Sequence, residues 1–442
     1  MGTDGMDTSR PGDETGATPA AAAEGGAGNR GAADRAAGPH PVRRRLLLAA
    51  GAGSVAAALA GAVSATAEST SEPPARRTAR RATGAAGPLT TPAPPVSRPF
   101  FLGTYTSGAS QGIGLATYDP QTGRLTATGT LAGVANPSFL AVSGTRLFAV
   151  NEQPNGTVTA VSLPAGGKPT VLNTQSTGGS GPCHLSIHPG GRYLLSANYD
   201  SGSVAVHPIA ADGSLQARTD LVRHTGSGPD PDRQEGPHAH QVLSDPRGGF
   251  VLSVDFGTDS VHTSRLDTTT GKLTAVSRAR VQAGSGPRHL AFHPSGRFAY
   301  VANELGDSVI VCGYDPATGL LTPGRPRPTV PAGGPAPTER NYPAEVVVSP
   351  DGCFVYVSNR GHNSVARFSV GGAGASLTLI DAVATGGAYP RHIGLDPSGT
   401  LLYAANQNSG TVTVFHRDTA TGALTATGAA FPAPSPVCVL PR

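Results

Sequence analysis

The chain has 442 residues and a formal net charge of +4, and it contains 60 Gly and 40 Pro. Gly and Pro together reach roughly double their average usage, which argues against a mainly helical architecture. The charge is small and the basic residues are scattered, so the composition does not indicate a nucleic-acid partner. Short apolar runs separated by turn residues predict instead an all-β protein rich in turns.

The N-terminus has the pattern of an export signal. Residues 1–42 show no hydrophobic periodicity, the arginine run 43–45 follows, and residues 46–67 are uncharged and end in small side chains. Arginines before a weakly apolar segment are typical of twin-arginine translocation. We predict a signal peptide over residues 1–67, with an uncleaved anchor as the alternative. A disordered linker rich in Pro, Arg and Ala then spans residues 68–98, and the mature, secreted chain has no membrane partner.

The cysteines do not indicate a metal centre. Cys183, Cys312, Cys353 and Cys438 lack metal-type spacing, and we interpret them as buried thiols, with disulfide pairing after export left open. The sequence has no recognisable set of metal ligands and no nucleotide-binding fingerprint. We therefore expect neither a metal nor another cofactor.

The remaining residues, 99–442, consist of repeats of about 50 residues. Segments 181–184 and 286–289 both read Gly-Pro-x-His, and each is followed by a His-Pro turn and then an Ala-Asn pair. The copies open at six prolines, which are Pro137, Pro182, Pro237, Pro287, Pro343 and Pro390. Three turns per copy delimit four strands, and this period is typical of a β-propeller blade.

The two ends of the repeat region complete each other. Residues 100–130 carry the later strands of a blade without its opening strand, whereas residues 435–440 resemble an innermost strand with nothing after it. We predict an all-β, seven-bladed β-propeller over residues 99–442, closed by the C-terminal strand, which completes the first blade. A closed propeller has no long exposed edge, so we expect a monomer.

Candidate site residues lie on the innermost strands, which line the channel of a propeller. Aligning the blades puts polar side chains at two successive positions, namely Cys183, His240, Arg288 and Arg391 at the first and His184, Gln241, His289, Glu345 and His392 at the second. Charged side chains are unusual choices for a strand that only packs. They therefore indicate either a ligand site or salt-bridge rings that hold the blades together.

The ends of the second strands add two candidates. An Asn or Asp recurs there, which we interpret as structural, while the next residue varies and is Glu304 in one blade and Arg360 in another. Histidines such as His240 and His289 suit proton transfer. Arginines such as Arg360 suit the binding of carboxylate or phosphate and the stabilisation of an oxyanion.

Together these motifs resemble the seven-bladed β-propeller lactonases, which include the propeller-type 6-phosphogluconolactonases and the fungal carboxy-muconate lactonising enzymes. The resemblance covers residues 99–442 and is carried by five motifs, GPHAH at 236–240, GPRH at 286–289, ANE at 302–304, SNRG at 358–361 and ANQNS at 405–409. It implies metal-independent opening or closing of a lactone by one His, two Arg and one Glu at the channel mouth. The matching residues are His240, Arg288, Arg360 and Glu304.

We therefore expect an exported lactone-ring hydrolase that is 6-phosphogluconolactonase-like and acts on a carbohydrate or sugar-acid lactone. Its substrate-binding candidates are His289, Glu345, Arg391 and His392. The family's sugar-phosphate lactonases serve a cytoplasmic pathway, so the apparent export signal leaves open whether the lactone carries a phosphate. Two alternatives stay open, a secreted non-catalytic propeller that binds a sugar acid or a cell-wall component, and lactone formation from an unsaturated diacid.

Overall fold

The computed structural model describes residues 96–333 and 339–442, so the predicted signal peptide and linker residues 68–95 lie outside the described part of the chain. Strands dominate, and a short 3-10 turn occurs at Gly372–Gly374. Within the described ranges no helix has the length and apolar character needed to cross a membrane.

The strands follow one another with short connections. The first fourteen are β1 Arg98–Thr104, β2 Gly112–Tyr118, β3 Leu125–Ala132, β4 Leu140–Ser143, β5 Arg146–Asn151, β6 Thr157–Ser162, β7 Thr170–Ser176, β8 Pro182–Ile187, β9 Tyr193–Asn198, β10 Ser203–Pro208, β11 Asp220–Arg223, β12 Ala239–Ser244, β13 Val251–Asp255 and β14 Ser260–Asp267. The others are β15 Lys272–Arg280, β16 Pro287–Phe292, β17 Phe298–Asn303, β18 Ser308–Asp315, β19 Leu320–Pro328, β20 Tyr342–Val348, β21 Phe354–Arg360, β22 Ser364–Gly371, β23 Ser376–Ala384, β24 Pro390–Leu395, β25 Leu401–Asn406, β26 Thr411–Arg417, β27 Leu424–Pro432 and β28 Pro436–Pro441.

These strands form seven antiparallel sheets of four strands each. Blade one has the order β28-β1-β2-β3, and blades two to seven take β4–β7, β8–β11, β12–β15, β16–β19, β20–β23 and β24–β27. The inner strands contact each other in a complete circle, β28 to β4 to β8 to β12 to β16 to β20 to β24 and back to β28. The predicted seven-bladed β-propeller is confirmed.

The C-terminal strand closes the ring as predicted. β28 pairs antiparallel with β1, with Leu102 opposite Val439 and Phe101 opposite Leu440. Because β1 is also paired with β2, the last strand of the chain becomes the innermost strand of the first blade. Blade one is therefore held together by residues from both ends of the repeat region.

Each junction between neighbouring blades has its own apolar core, and the structure contains seven such clusters of buried side chains. The cluster between blades four and five, for example, joins Phe250 and Leu252 to Leu290 and Val301. A four-stranded blade has two faces, and each face is buried only when the next blade packs on it. These cores explain why the seven blades form a closed ring.

A repeated turn of five residues, Asp-x-x-Thr-Gly, locks blades onto their predecessors. In blade five, the amide of Gly319 donates to Asp315 O at 2.8 Å, and Gly319 has a φ of +74°. A Cβ at this glycine would lie 2.6 Å from the ring of Phe250 in blade four. Glycine is required both for the left-handed backbone and for the close approach of the two blades.

One cysteine departs from the prediction of buried thiols. Cys183, Cys312 and Cys438 are buried, but Cys353 is exposed. It lies in the turn between β20 and β21, where its amide donates to Asp351 Oδ1 at 2.8 Å. The turn geometry, which the Asp-Gly pair before Cys353 specifies, directs this side chain outward, so the prediction was wrong for Cys353.

The turn contact predicts an unequal effect of two glycine substitutions. Gly319→Ala introduces a left-handed alanine and a clash with Phe250, and we expect a loss of about 2–4 kcal/mol in the free energy of unfolding. Gly166→Ala is the matched control, because Gly166 also has a positive φ but its Cβ would meet no atom within 4 Å. We expect about 1 kcal/mol there. Urea unfolding measures both values, and equal losses would contradict the packing role of the turn.

Candidate functional site

The end of each second strand carries a recurring structural residue, followed by a residue that differs between blades. The recurring asparagines at 198, 303 and 359 are fully buried, and each donates its amide to the serine hydroxyl five residues later at 3.0–3.2 Å. This contact holds the turn that follows each strand. The backbone next to that turn is therefore fixed in these three blades, and the residue after the Asn, such as Glu304 or Arg360, is held in a rigid position.

Glu304 lies at the centre of a cluster of arginines. Its Oε2 lies 2.6 Å from Arg360 Nη2 and 3.3 Å from Arg288 Nε, and its Oε1 lies 2.9 Å from Arg233 Nη2. We call Arg233, Arg288 and Arg360 the arginine cluster. The structure thus brings together three of the predicted catalytic residues, which come from blades five and six, and adds Arg233 from the loop before β12.

The arginine cluster determines the charge state of Glu304. Burial alone would raise the pKa of this carboxyl, but Arg360, Arg288 and Arg233 together hold it far below its ordinary value. Burial and the neighbouring Arg360 lower the pKa of Arg288 to about 10, so Arg288 is still charged at neutral pH. One carboxylate among three guanidinium groups leaves an excess of positive charge, which favours an anionic ligand.

Backbone carbonyls fix the two buried arginines. Arg288 Nη1 donates to Ala344 O at 3.0 Å, across the junction of blades five and six. Arg360 Nε donates to Tyr342 O at 3.2 Å. Their side chains are only 4% exposed, so these two guanidinium groups are held rigidly in a dry environment, where their electrostatic effect is large.

His240 is buried next to this cluster. Its Nδ1 lies 3.8 Å from Cys183 Sγ, and its ring centre lies 5.1 Å from that of His289. Burial, followed by Arg288, His289 and Arg391, lowers the pKa of His240 well below its ordinary value. Among residues 96–333 and 339–442, Nε2 of His240 has no hydrogen-bond partner. His240 is therefore a neutral imidazole with a free nitrogen.

Three of the predicted substrate-binding residues contact one another. His289 Nδ1 donates to Glu345 Oε2 at 2.8 Å, and His392 Nε2 lies 3.4 Å from the same oxygen. Burial lowers the pKa of His392 to about 4 although Glu345 opposes the shift, and burial raises the pKa of Glu345 itself. These contacts connect blades five, six and seven through neutral histidines, since burial also lowers the pKa of His289 well below its ordinary value. Their role in substrate binding stays a prediction.

Similar contacts continue around the axis. Gln241 Oε1 accepts a hydrogen bond from Leu290 N at 2.6 Å, and His184 Nδ1 accepts one from Val242 N at 3.4 Å. The second polar position of the inner strand therefore joins each blade to the next in this part of the ring. Nε2 of His289 is buried and has no hydrogen-bond partner in the described part of the chain.

The fourth predicted substrate-binding residue, Arg391, has a different environment. Its guanidinium lies over the ring of Tyr105 at 5.6 Å, and the Tyr105 hydroxyl donates to Glu152 at 3.0 Å. Burial disfavours its charge, but Tyr105, Glu152 and Glu304 raise the pKa of Arg391 above its ordinary value. Within the described ranges its N–H groups have no hydrogen-bond acceptor, so they are available to a ligand.

A small cavity lies between these groups. Its lining residues are Ser138, Phe139, Glu152, Cys183, Arg288, His289, Glu345, Arg391, His392 and Val437. All four predicted substrate-binding residues and Arg288 line it, whereas His240, Glu304 and Arg360 lie beside it. The cavity therefore connects the free donors of Arg391 to the arginine cluster.

Sequence reasoning missed Arg233 and Glu152 as site residues. Glu152 follows the recurring Asn151, as Glu304 follows Asn303, so the same signal could have found it. Arg233 lies in the loop between β11 and β12, which has no counterpart in the repeat, and inner-strand alignment gives it no position.

A second cluster of polar side chains lies elsewhere in blade four. His224, Asp255 and His262 have ligand atoms within 4.8 Å of one another. His224 Nδ1 is 2.6 Å from Asp255 Oδ2, and its Nε2 is 3.1 Å from Ser253 Oγ. Both nitrogens of His224 are therefore engaged in hydrogen bonds. The cluster fixes the segment after β11 onto blade four.

Comparison with known proteins assigns the propeller to a family. The family model described as "Lactonase, 7-bladed beta-propeller" matches residues 99–441, and the chain belongs to this family. The 6-phosphogluconolactonase of Bacillus subtilis is 37% identical over 343 residues, which are 77% of this chain and 97% of that protein.

Solved structures give the same result. The periplasmic gluconolactonase of Pseudomonas aeruginosa has a TM-score of 0.72 at 30% identity, covering 78% of this chain and 99% of that one. A protein from Lactobacillus plantarum has a TM-score of 0.73 at 36% identity, covering 78% of this chain and 99% of that one. The chain is thus similar over its whole propeller to proteins of the lactonase class.

The charge balance predicts how Glu304 supports the site. Glu304→Gln leaves three guanidinium groups without their carboxylate, and we expect a loss of about 3 kcal/mol in the free energy of unfolding at pH 7. Because the folded pKa of Glu304 is lowered, its stabilisation is fully present above the unfolded pKa of about 4.3. It is lost as the pH falls through the folded pKa.

Denaturant unfolding between pH 3 and pH 7 checks this expectation. The difference between the wild type and Glu304→Gln should be constant above about pH 5 and shrink below about pH 4. Glu339→Gln is the control, because Glu339 is exposed and should change the free energy by less than about 0.5 kcal/mol. A difference that grows towards low pH would contradict the ion cluster.

Proposed function

We propose that this protein is a secreted lactonase that adds water to the carbonyl of a sugar-acid lactone without a metal ion. One observation carries the proposal, a neutral His240 with a free Nε2 beside a rigid cluster of arginines. A general base must be unprotonated and able to reach a water, and an ester carbonyl needs fixed positive charge where its oxyanion develops. Family membership supports this reaction class.

The proposed reaction begins with the lactone held by the guanidinium groups. Nε2 of His240 takes a proton from water as the water oxygen attacks the carbonyl carbon. Arg288 and Arg360 stabilise the oxyanion of the tetrahedral intermediate. The bond from the carbonyl carbon to the ring oxygen then breaks, and the protonated His240 returns its proton to that oxygen. The product is a hydroxy acid, and His240 is neutral again.

Glu304 acts as a positioning residue in this scheme. It keeps Arg288 and Arg360 together although both are buried and carry the same charge. Because the arginines hold its pKa far below the ordinary value, Glu304 stays ionised and does not compete with His240 for the proton.

A covalent mechanism through Cys183 is disfavoured. The thiolate is the nucleophilic form of cysteine, and burial raises the pKa of Cys183 far above its ordinary value. The thiol also lies 3.2 Å from His240 O as a donor. Direct attack by water is therefore the simpler route.

Substrate binding in this proposal uses the cavity beside the arginine cluster. Arg391 and His289 both line this cavity, and Nε2 of His289 has no hydrogen-bond partner in the described part of the chain. Sugar acids and their lactones offer several hydroxyl groups and one carboxylate, which match these donors and acceptors. The 6-phosphogluconolactonase activity named for the Bacillus subtilis relative is the corresponding activity here.

The proposed location is outside the cytoplasm. Arginines 43–45 and the uncharged stretch that follows have the pattern of a twin-arginine signal. A related structure is named as a periplasmic gluconolactonase, which agrees with export of this type of enzyme. Mass spectrometry of the secreted protein tests this location, since cleavage after residue 67 gives a mature chain that begins at Glu68.

His240→Gln tests the mechanism. The glutamine keeps a polar group but cannot carry a proton, and we expect kcat/KM for glucono-1,5-lactone to fall by about 100-fold or more. His416→Gln is the matched control, because His416 is exposed on β26 and should leave turnover unchanged. Initial rates are measured with EDTA present and corrected for spontaneous hydrolysis. Equal rates for the wild type and His240→Gln would contradict the proposal.

The same assay gives a pH dependence. Because burial and the arginines lower the pKa of His240, the base stays unprotonated well below pH 6.5. We expect kcat/KM to be flat between pH 8 and pH 6.5 and to fall only at lower pH. A half-maximal point at or above pH 6.5 would assign the base to a histidine with an ordinary pKa.

A further inference from the structure

The arginine that sequence reasoning missed lies on an anchored loop. Residues 224–238 connect β11 to β12, and Gln234 in this loop is fully buried. Its Nε2 donates to Phe256 O at 2.8 Å and to Asp259 Oδ1 at 2.9 Å. Asp230 Oδ1 accepts from the amide of Arg233 at 3.1 Å. The backbone of Arg233 is thus fixed on both sides, and its side chain is directed over the ring of Phe256 at 4.9 Å.

Arg233 differs from the other two members of the arginine cluster. Its side chain is 39% exposed, against 4% for Arg288 and 4% for Arg360. Arg288 and Arg360 also donate to backbone carbonyls. Arg233 interacts with the side chain of Tyr199, and its ion pair with Glu304 uses one terminal nitrogen, Nη2. A guanidinium group binds a carboxylate or a phosphate best through two parallel hydrogen bonds. Arg233 therefore has a solvent-facing edge that is suited to a second anion.

Glu304 has two guanidinium partners besides Arg233. Its Oε2 is 2.6 Å from Arg360 and 3.3 Å from Arg288, so it stays paired with two buried guanidinium groups when Arg233 turns away. The cluster has one carboxylate for three cations, and an incoming anion reduces this excess. The exchange of Glu304 Oε1 for a ligand oxygen is therefore electrostatically favourable.

We propose that Arg233 is a specificity residue that binds a second anionic group of the substrate, a phosphate ester or a carboxylate remote from the lactone carbonyl. The proposal rests on the proposed function, since it places the carbonyl at His240 and the remote anion at the outer, exposed member of the same cluster. Lactones that carry such a group are then favoured over the neutral lactone of the same sugar acid.

Binding of the ring-opened acids tests this role without requiring turnover. Calorimetric dissociation constants are measured for gluconate, 6-phosphogluconate and glucarate with the full chain. Gluconate carries only the carboxylate formed on ring opening, 6-phosphogluconate adds a phosphate, and glucarate adds a second carboxylate. We expect at least one of the two acids that carry a second anionic group to bind about tenfold or more tightly than gluconate. The acid that shows the gain identifies the source of the anion.

Substitutions assign the gain to Arg233. Arg233→Gln should reduce the ratio of dissociation constants to near one, and Arg233→Lys should keep part of it, since lysine keeps the charge but loses the two-pronged contact. Arg265→Gln is the matched control. The guanidinium of Arg265 also lies over a phenylalanine ring, at 4.3 Å from the ring centre of Phe250, and Phe250 precedes β13 whereas Phe256 follows it. It should leave the ratio as in the wild type.

The outcomes are distinct. The proposal is overturned if the wild type shows no preference for an acid with a second anionic group, or if the ratio is unchanged in Arg233→Gln. If Arg233→Gln weakens the binding of all three acids equally and lowers the melting temperature, Arg233 has a purely structural role. That result also overturns the proposal. If the ratio of dissociation constants depends on Arg233 but the protein hydrolyses no lactone, the anion site is supported and the lactonase function is rejected. Failure of this proposal can therefore be told apart from failure of the proposed function.

Discussion

Every blade must bury both of its faces, and the rest of the structure follows from this requirement. Each of the seven apolar clusters lies between two neighbouring blades, so removing one junction exposes two faces. The chain meets this requirement only when β28 returns to β1 and closes the circle. Closure then brings the inner strands of seven separate sequence segments around one axis. The site is a consequence of that geometry, because its side chains are far apart in sequence.

Closure also creates an electrostatic problem that Glu304 resolves. Arg288 and Arg360 are buried next to each other, and two like charges in a dry environment repel strongly. A single carboxylate with contacts to both stabilises the pair and still leaves net positive charge. Burial lowers the pKa of His240, and the same positive charge lowers it further. The buried ions therefore attract an anion and help to keep the nearby imidazole neutral.

The fold was largely predictable because the repeat is a local signal. Turn residues at fixed offsets delimit the strands, and the unmatched ends specify closure. The site was predictable only in part. Glu304 and Arg360 occupy a position whose residue differs from blade to blade, which made them candidates. The structure places both next to Arg288. Arg233 lies in an unrepeated loop whose path depends on the anchor of Gln234 to Phe256 and Asp259, a tertiary contact that no local pattern encodes.

The sequence likewise could not predict which side chains of neighbouring blades contact each other. Alignment placed His289, Glu345 and His392 at equivalent positions, but equivalence does not say which side chain contacts its neighbour and which faces a ligand. That choice depends on side-chain length and on the separation of adjacent inner strands. Here it joins all three through one carboxylate oxygen and leaves Arg391 with free donors.

A crystal structure of the protein with gluconate would show whether His240 and the arginine cluster form one site. We expect the carboxylate of gluconate to contact Arg288 and Arg360, with its carboxyl carbon next to Nε2 of His240. Gluconate bound elsewhere, for example in the groove on the outer strands that Phe298 and Leu377 line, with the arginine cluster unliganded, would contradict it.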